Sequence, residues 1–255
     1  MGKFCQRLGI VMNQMIKKTI TSIVILLCCS FPVYAWQLKP FETTYTAVIS
    51  NVPFDGQATY SLTKKGDEWA FKTLAAMAIA QREENSVFVI KDGHLQPSFY
   101  EFNQSGLKTK QVILIFDWKK MFAKGHFKDK KHDDDMFFDL KYKMLDPLST
   151  QLALQMDVAA GKKQMSYKVI EDDEIDTYQF KVIGSEVIDT PVGKLATIKV
   201  QRVRGANSKR QSYIWFAKDW NYTVVKLYHL EKNGQEYVIS LSQGTVDHKE
   251  ITGKK

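Results

Sequence analysis

The chain has 255 residues, 44% hydrophobic and 25% charged, proportions of a globular protein that exclude a disordered or membrane-embedded one. Its net charge of +8 points at first to nucleic acid, but four of the positive charges, Lys3, Arg7, Lys17 and Lys18, sit in an N-terminal stretch without Asp or Glu. The rest carries about +4, scattered among acids except for a short cluster of Arg202, Arg204, Lys209 and Arg210, and it lacks an aromatic-interleaved basic groove, so no nucleic-acid partner is expected.

Residues 1–35 read as a cleavable signal peptide. The apolar run Thr19 to Cys29 follows the basic pair Lys17 and Lys18 and is about eleven residues long, short of the ~20 that span a bilayer. Val33 and Ala35 place compact residues where a signal peptidase reads, which predicts cleavage after Ala35 and leaves Trp36 first. A start at Met12 or Met15 leaves this reading unchanged. The alternatives are an uncleaved membrane anchor and a lipid-modified Cys29, although Leu27 and Cys28 stand where lipidation sites usually carry Gly, Ala or Ser. Cys5, Cys28 and Cys29 all precede the cut, so the mature chain has no cysteine and therefore no disulfide, thiol chemistry or cysteine-bound metal. The expected mature protein is a single β-rich domain, 36–255, in the periplasm, with no stable transmembrane span after cleavage.

Strand-like segments follow in order. Phe41 to Ile49 and Gly56 to Thr63 are rich in Thr, aromatic and β-branched residues, and Lys64-Lys65-Gly66-Asp67 turns the chain into Glu68 to Leu74. Ala75 to Ala80 is read as strand or irregular. Ser86 to Ile90 ends at the turn pair Asp92-Gly93. Phe99 to Phe102, Lys108 to Trp118 and Gly125 to Lys128 continue the series, and the unbroken run Val112 to Phe116 calls for cover on both faces. Lys128 to Asp135 reads as a loop or hairpin end, and Met136 to Tyr142 alternates weakly. Asp146 as N-cap, Pro147 in the first turn and Gly161 as a stop predict a helix over Pro147 to Ala159, with Leu148, Leu152 and Gln155 or Met156 on one face.

Six strands follow: Gln164 to Glu171, Asp176 to Ser185, Leu195 to Arg204, Arg210 to Ala217, Tyr222 to Lys232 and Gln235 to Val246. Turn residues separate them, and Asn233-Gly234 suits a type I′ hairpin. Connections this short force antiparallel pairing. The expected fold is mainly β: a strongly curved antiparallel sheet or open barrel with one short helix at about 147–159.

Several local patterns together resemble a known family. They are Asp55-Gly56 before Thr59-Tyr60-Ser61-Leu62; Asn85-Ser86-Val87-Phe88 leading to Gly93-His94-Leu95-Gln96-Pro97 and Tyr100; and Phe116-Asp117-Trp118. Later come Asp146-Pro147-Leu148-Ser149, Thr190-Pro191-Val192-Gly193, and Ile214-Trp215-Phe216-Ala217-Lys218-Asp219 with Val225. From about Phe41 to Leu241 the chain resembles the exported bacterial proteins catalogued as domain of unknown function 3108. The resemblance implies a periplasmic or surface-facing curved sheet with a helix, and no assigned reaction. Thr223-Val224 departs from it, because relatives tend to have Pro there.

Candidate sites are few. His132 with Asp133, Asp134 and Asp135 offers ligands for a hard cation but lacks the Gly-spaced geometry of a calcium loop, so a solvated loop is favoured and no metal or cofactor is expected. His94, His126, His132, His229 and His248 share no helical i, i+4 pairing. Gly184-Ser185 is no nucleophile elbow, as Glu186 follows and a strand ends there. The glycines are isolated, so no phosphate loop occurs. Asp117, beside Trp118 in an apolar run, is the acid to watch, with turn closure or a Lys pairing as its structural alternative. The aromatics Trp69, Phe71, Tyr100, Phe116, Trp118, Tyr213, Trp215, Tyr228 and Tyr237 all fall on strands. Of these, Trp69, Phe71, Phe116, Trp118, Trp215 and Tyr213 are the expected wall of a ligand cavity.

No catalytic residue stands out. The leading expectation is a non-catalytic binding or carrier module for an apolar or lipid-like ligand, such as a lipid or lipoprotein chain. The alternatives are an envelope structural or interaction protein that recruits a partner protein by strand addition, and a hydrolase of envelope polymers whose acids lie far apart in sequence.

Overall fold

The computed structural model describes residues 36–53, 55–78, 80–106 and 108–254, so the signal peptide, its cut after Ala35 and the three cysteines lie outside the described residues. Gln37–Lys255 form one compact unit. Its first meander contains β1 (Phe41–Ile49), β2 (Gly56–Lys65), β3 (Glu68–Met77), β4 (Ala80–Lys91), β5 (His94–Gly106), β6 (Lys110–Asp117), β7 (Phe122–Lys128) and β8 (Asp133–Asp139). Helix α1 (Pro147–Ala159) follows, then β9 (Gln164–Glu171), β10 (Glu174–Thr190), β11 (Gly193–Val203), β12 (Gln211–Ala217), β13 (Thr223–Leu230), β14 (Glu236–Val246) and β15 (Lys249–Glu250).

All the strands join one antiparallel sheet in the order β8-β7-β6-β5-β4-β3-β2-β1-β14-β13-β12-β11-β10-β9, with β15 added to β14. Two meanders, β1–β8 and β9–β14, are thus sewn together by the β1–β14 pair, and β8 and β9 are left as the edges. These edges are consecutive in the chain, so the segment joining them, with α1, must cross the interior from one to the other. Leu145 docks on β9 on the way, its N–H donating to Lys168 O and its carbonyl accepting from Ile170 N. A sheet of this width cannot stay flat, because each strand is twisted relative to its neighbour, and it curls around α1.

The helix bounds follow from its ends. Asp146 Oδ1 accepts from Ser149 N at 2.7 Å while Ser149 Oγ accepts from Asp146 N at 3.1 Å, a reciprocal cap that satisfies two otherwise orphaned donors. Leu148, Leu152, Leu154, Gln155 and Val158 are buried, whereas Met156 is only half-buried. The helix is covered on more than one face, as an interior helix must be.

The face of the sheet toward α1 is read off by alternation. It carries Phe41 and Tyr45 on β1, Ala58, Tyr60 and Leu62 on β2, Trp69 and Phe71 on β3, Phe88 on β4, and Val112, Leu114 and Phe116 on β6, all buried. In the second meander Met165, Val169, Tyr178, Phe180, Val200, Phe216 and Val224 pack with Leu154 and Val158 of the helix.

Turn chemistry explains several boundaries. Asp92 (φ 51°) and Gly93 (φ 73°) both take the left-handed conformation of a type I′ turn between β4 and β5. The expected type I′ turn at Asn233-Gly234 is not formed: only Gly234 has positive φ, and Glu231 closes a longer loop through bonds to Gly234 and Gln235. β10 runs on to Thr190 through an irregularity between Val182 and Gly184, so Gly184-Ser185 lies inside a strand and not at its end. The acidic triplet Asp133–Asp135 is likewise strand, not loop. At the departure from the family pattern, Thr223 N donates to Trp220 O at 2.9 Å, a bond that Pro cannot make. Among the described residues no helix is long and apolar enough to cross a membrane.

Candidate functional site

The inner face differs between the two meanders. In the first, β4 carries a polar group into the interior. Glu84 Oε1 accepts from Arg82 Nε at 2.9 Å and pairs with Arg82 Nη2 at 2.7 Å, and Glu84 Oε2 accepts from Tyr100 OH at 2.8 Å. Two residues on, Ser86 Oγ donates to Asp146 Oδ2 at 2.7 Å and so ties the helix cap to the sheet. Asp146 is fully buried, and burial pushes its carboxyl up to about 6 against the pull of the Ser149 and Ser86 bonds. Desolvation, with Glu84 alongside, likewise raises the Tyr60 phenol to about 12. Every charge here has a partner, so the network is internally satisfied.

In the second meander the inner face carries a continuous aliphatic row. Strand register sets Val182 beside Val200, Val200 beside Ile214, Ile214 beside Leu227, Leu227 beside Ile239, and Ile239 beside Ala47 of β1. Gly56 of β2 extends the row past Ala47, and a Cβ there would meet Met77 Cγ at 2.7 Å, so the missing side chain lets Met77 fold over the row. Val200 is buried; Val182, Ile214, Leu227, Ile239 and Ala47 are only half-buried. The helix, ~20 Å long at 1.5 Å per residue, is too short to cover a sheet of this width.

One same-face step further out the row turns polar. Ser212 pairs with His229, and His229 with Tyr237. Arg204 Nη1 donates to Ser212 Oγ at 3.0 Å, and Ser212 Oγ lies 2.7 Å from His229 Nδ1. His229 Nε2 is 3.0 Å from Glu231 Oε1, whose other oxygen accepts from Arg210 Nε at 3.0 Å. Arg202 lies over the Tyr178 ring, its guanidinium carbon 3.5 Å from the centroid, with Asp176 at 3.6 Å.

The sequence-selected aromatics are not brought together. Phe71 has no exposed surface and meets Phe41 and Tyr60 edge-on. Trp69 stacks on Phe88, and Phe116 on Trp118, whose Nε1 donates to Pro97 O. Tyr213 and Trp215 alternate with Ile214 and so face away from α1; there Lys199 and Lys226 cover Trp215, and its Nε1 donates to Glu186. Asp117 caps the β6–β7 turn, accepting from Lys119 N and Lys120 N, and these bonds, that of Lys120 foremost, hold its carboxyl below the usual range.

Strand alternation splits the acidic triplet: Asp133 and Asp135 meet His126 on β7 at 2.9 and 3.0 Å, while His132 turns to Asp129 at 3.1 Å. Among the described residues no three His, Cys, Asp or Glu side chains are grouped to hold a metal. Two of the surface recesses formed by the described residues bear on the expected site. One, of about 490 Å³, lies on the ends of β4–β7 among Glu83, Asn103, Gln111 and Lys128; the other, about 310 Å³, lies beside α1 among His94, Tyr142, Lys143, Lys162 and Tyr167. Neither is lined by the six aromatics of the expected wall.

The Arg204–Ser212–His229–Glu231 chain was not singled out in the sequence. Its one visible signal was the cluster of Arg202, Arg204 and Arg210.

An open antiparallel sheet curled around a single described helix is a barrel-like architecture, and one solved structure shares that fold. A β-barrel-like protein of domain of unknown function DUF1849 from Brucella abortus matches with a TM-score of 0.56 at 10% identity, over 83% of this chain and 99% of that one. A "putative lipoprotein" from Parabacteroides distasonis matches at a TM-score of 0.32 and 12% identity, over 82% of this chain and 96% of that one. No curated protein sequence matches. The protein family of unknown function DUF3108 matches residues 41–242, most of the chain, and the protein belongs to that family.

Proposed function

We propose that this protein is an exported, non-catalytic binding or carrier module of the periplasm, holding an apolar or lipid-like ligand against the inner face of its second meander. The observation that carries this reading is the half-buried aliphatic row running from Val182 to Ala47. Val182, Ile214 and Leu227 touch the core that includes Leu154 and Val158 of the helix, yet they and Ile239 keep part of their apolar surface uncovered, and such surface loses free energy to water until something covers it. An acyl chain covers such a row without asking for hydrogen bonds. Export is supported by the signal-like residues 1–35.

The test is organic extraction and mass spectrometry of protein purified from its native host, with binding of a hydrophobic dye to the stripped protein. An extracted acyl lipid and saturable dye binding are expected; absence of both overturns the reading. Envelope fractionation, together with an intact mass that begins at Trp36, checks the location.

A further inference from the structure

Two arginines on the inner face, Arg82 and Arg204, offer a control for each other. Arg82 is neutralised by a carboxylate held against two of its nitrogens. Arg204 is not: its side-chain partner is the neutral hydroxyl of Ser212, and among the described residues no carboxylate lies within ion-pair distance of it. Its guanidinium is half-buried, next to two more, Arg202 and Arg210, whose charges are taken up by Asp176 and Glu231. Partial burial, followed by the repulsion of Arg202 and Arg210, lowers its pKa. A cation in such a place is poorly solvated and crowded by its own sign, a setting in which an incoming anion gains most.

The neighbours of Arg204 hold it without discharging it. With Nε2–H of His229 donated to Glu231, Nδ1 is left to accept the Ser212 hydroxyl proton, and the Ser212 oxygen then accepts from Arg204. That chain fixes one nitrogen of the fork, and the remaining donors of a guanidinium stay available for a bidentate acceptor.

Placement against the aliphatic row then sets the ligand class. Ser212, His229 and Tyr237 each stand two residues from a member of the row, Ile214, Leu227 and Ile239, hence on the same face and ~7 Å outward. We infer that the ligand is an acyl-chain amphiphile with an anionic head, its head taken by Arg204 and its tail laid along Ile214, Leu227 and Ile239. This rests on the carrier reading above and adds the head-group chemistry to it.

Calorimetric titration of the purified protein with laurate, dodecanol and acetate, in the wild type and in Arg204→Gln, tests it. Laurate is expected to bind the wild type and to weaken by about tenfold or more in R204Q, the worth of a charge-assisted bond, while dodecanol binds both proteins alike. Ser212→Ala, which keeps the charge but releases its anchor, is expected to weaken laurate by a smaller factor. Arg204 lies just beyond the end of β11, and an unchanged circular dichroism spectrum confirms that R204Q folds. If laurate binds R204Q as tightly as the wild type while both alcohol and acid bind, the head-group assignment falls and the carrier reading stands. If acetate binds as tightly as laurate, the site is one for small anions and the inference is overturned. If neither laurate nor dodecanol binds the wild type, the carrier reading itself fails and takes this one with it.

Discussion

The interior of the first meander is dominated by interlocking rings, whereas the second, beside its own buried Tyr178, Phe180 and Phe216, leaves a row of aliphatics half-covered, and the two halves differ in how one inner-face arginine is held. Phe41, Tyr45, Tyr60, Phe71, Trp69 and Phe88 interlock beneath β1–β4, and the carboxylates buried there, Glu84 and Asp146, find partners within the protein, Arg82 reaching Glu84 from an exposed position. Across β11–β14 the aliphatic row is left half-covered, and Arg204 is anchored by a hydroxyl instead of a carboxylate. On the carrier reading, the half that satisfies itself works for stability, and the half that leaves apolar surface and a cation incompletely matched is the one that takes a guest. The division lies along β1, which contributes Tyr45 to one side and Ala47 to the other.

The comparison breaks most readily where the packing is tightest. Phe71→Ala is expected to cost about 3–5 kcal/mol in urea unfolding, since the ring is wholly buried among Phe41 and Tyr60 and cannot be replaced by collapse; a loss under about 1 kcal/mol would show that the first meander is not the rigid half.

Next comes the helix cap. Asp146 is lifted from 3.8 to about 6, chiefly by burial, so the folded protein takes up this proton before the unfolded chain does. The stability it contributes is full below about pH 4 and is lost as the pH rises through about 6. Asn caps a helix as well as Asp and does not ionise. Between about pH 4 and 7 the wild type should therefore lose roughly 3 kcal/mol relative to Asp146→Asn; parallel stability curves for the two proteins refute the assignment.

A third substitution separates the roles of the halves. Leu227→Gln, in the half-covered row, is expected to reduce dodecanol binding about tenfold while lowering stability by only about 1 kcal/mol. Equal and large effects on both would make the row ordinary core. The smallest effect is expected at Lys110→Ala. This residue links β6 to Asp172 in the β9–β10 turn and lies over Phe102 and Phe127, yet the pair is partly exposed and should be worth less than about 1 kcal/mol by thermal denaturation.

The fold was legible where local chemistry and tertiary role agree. Helix α1 begins and ends where Asp146-Pro147 and Gly161 say it does, and β1 and β9 keep the bounds that their residue types suggest. The sequence shows β4 only from Ser86 onward, because Glu84 looks like a surface residue until a strand that begins six residues earlier, at Ala80, turns it inward. β15 escaped notice since its turn uses Asp247 and His248, both at positive φ, in place of the expected Gly or Asn.

The site was harder to see. Aromatic residues advertise themselves in a sequence, but rings pack well and here they fill the core or, like Tyr213 and Trp215, lie on the opposite face of the sheet. Ile214, Leu227 and Ile239 come from three strands and carry no shared local pattern; only register aligns them. Arg204 was visible as charge, while its lack of a carboxylate depends on Ser212 and His229 arriving from two other strands.

The last strand of the ladder has a bearing on how copies of the protein meet one another. β8 offers an unpaired backbone edge, which is the usual starting point for runaway strand-to-strand growth. Asp133, Asp134 and Asp135 open that strand and Asp139 closes it. Two molecules approaching edge to edge would bring Asp134 and Asp139, which among the described residues lack the cationic partners of Asp133 and Asp135, toward one another across the shared ladder, a placement of like charge that disfavours strand-to-strand growth.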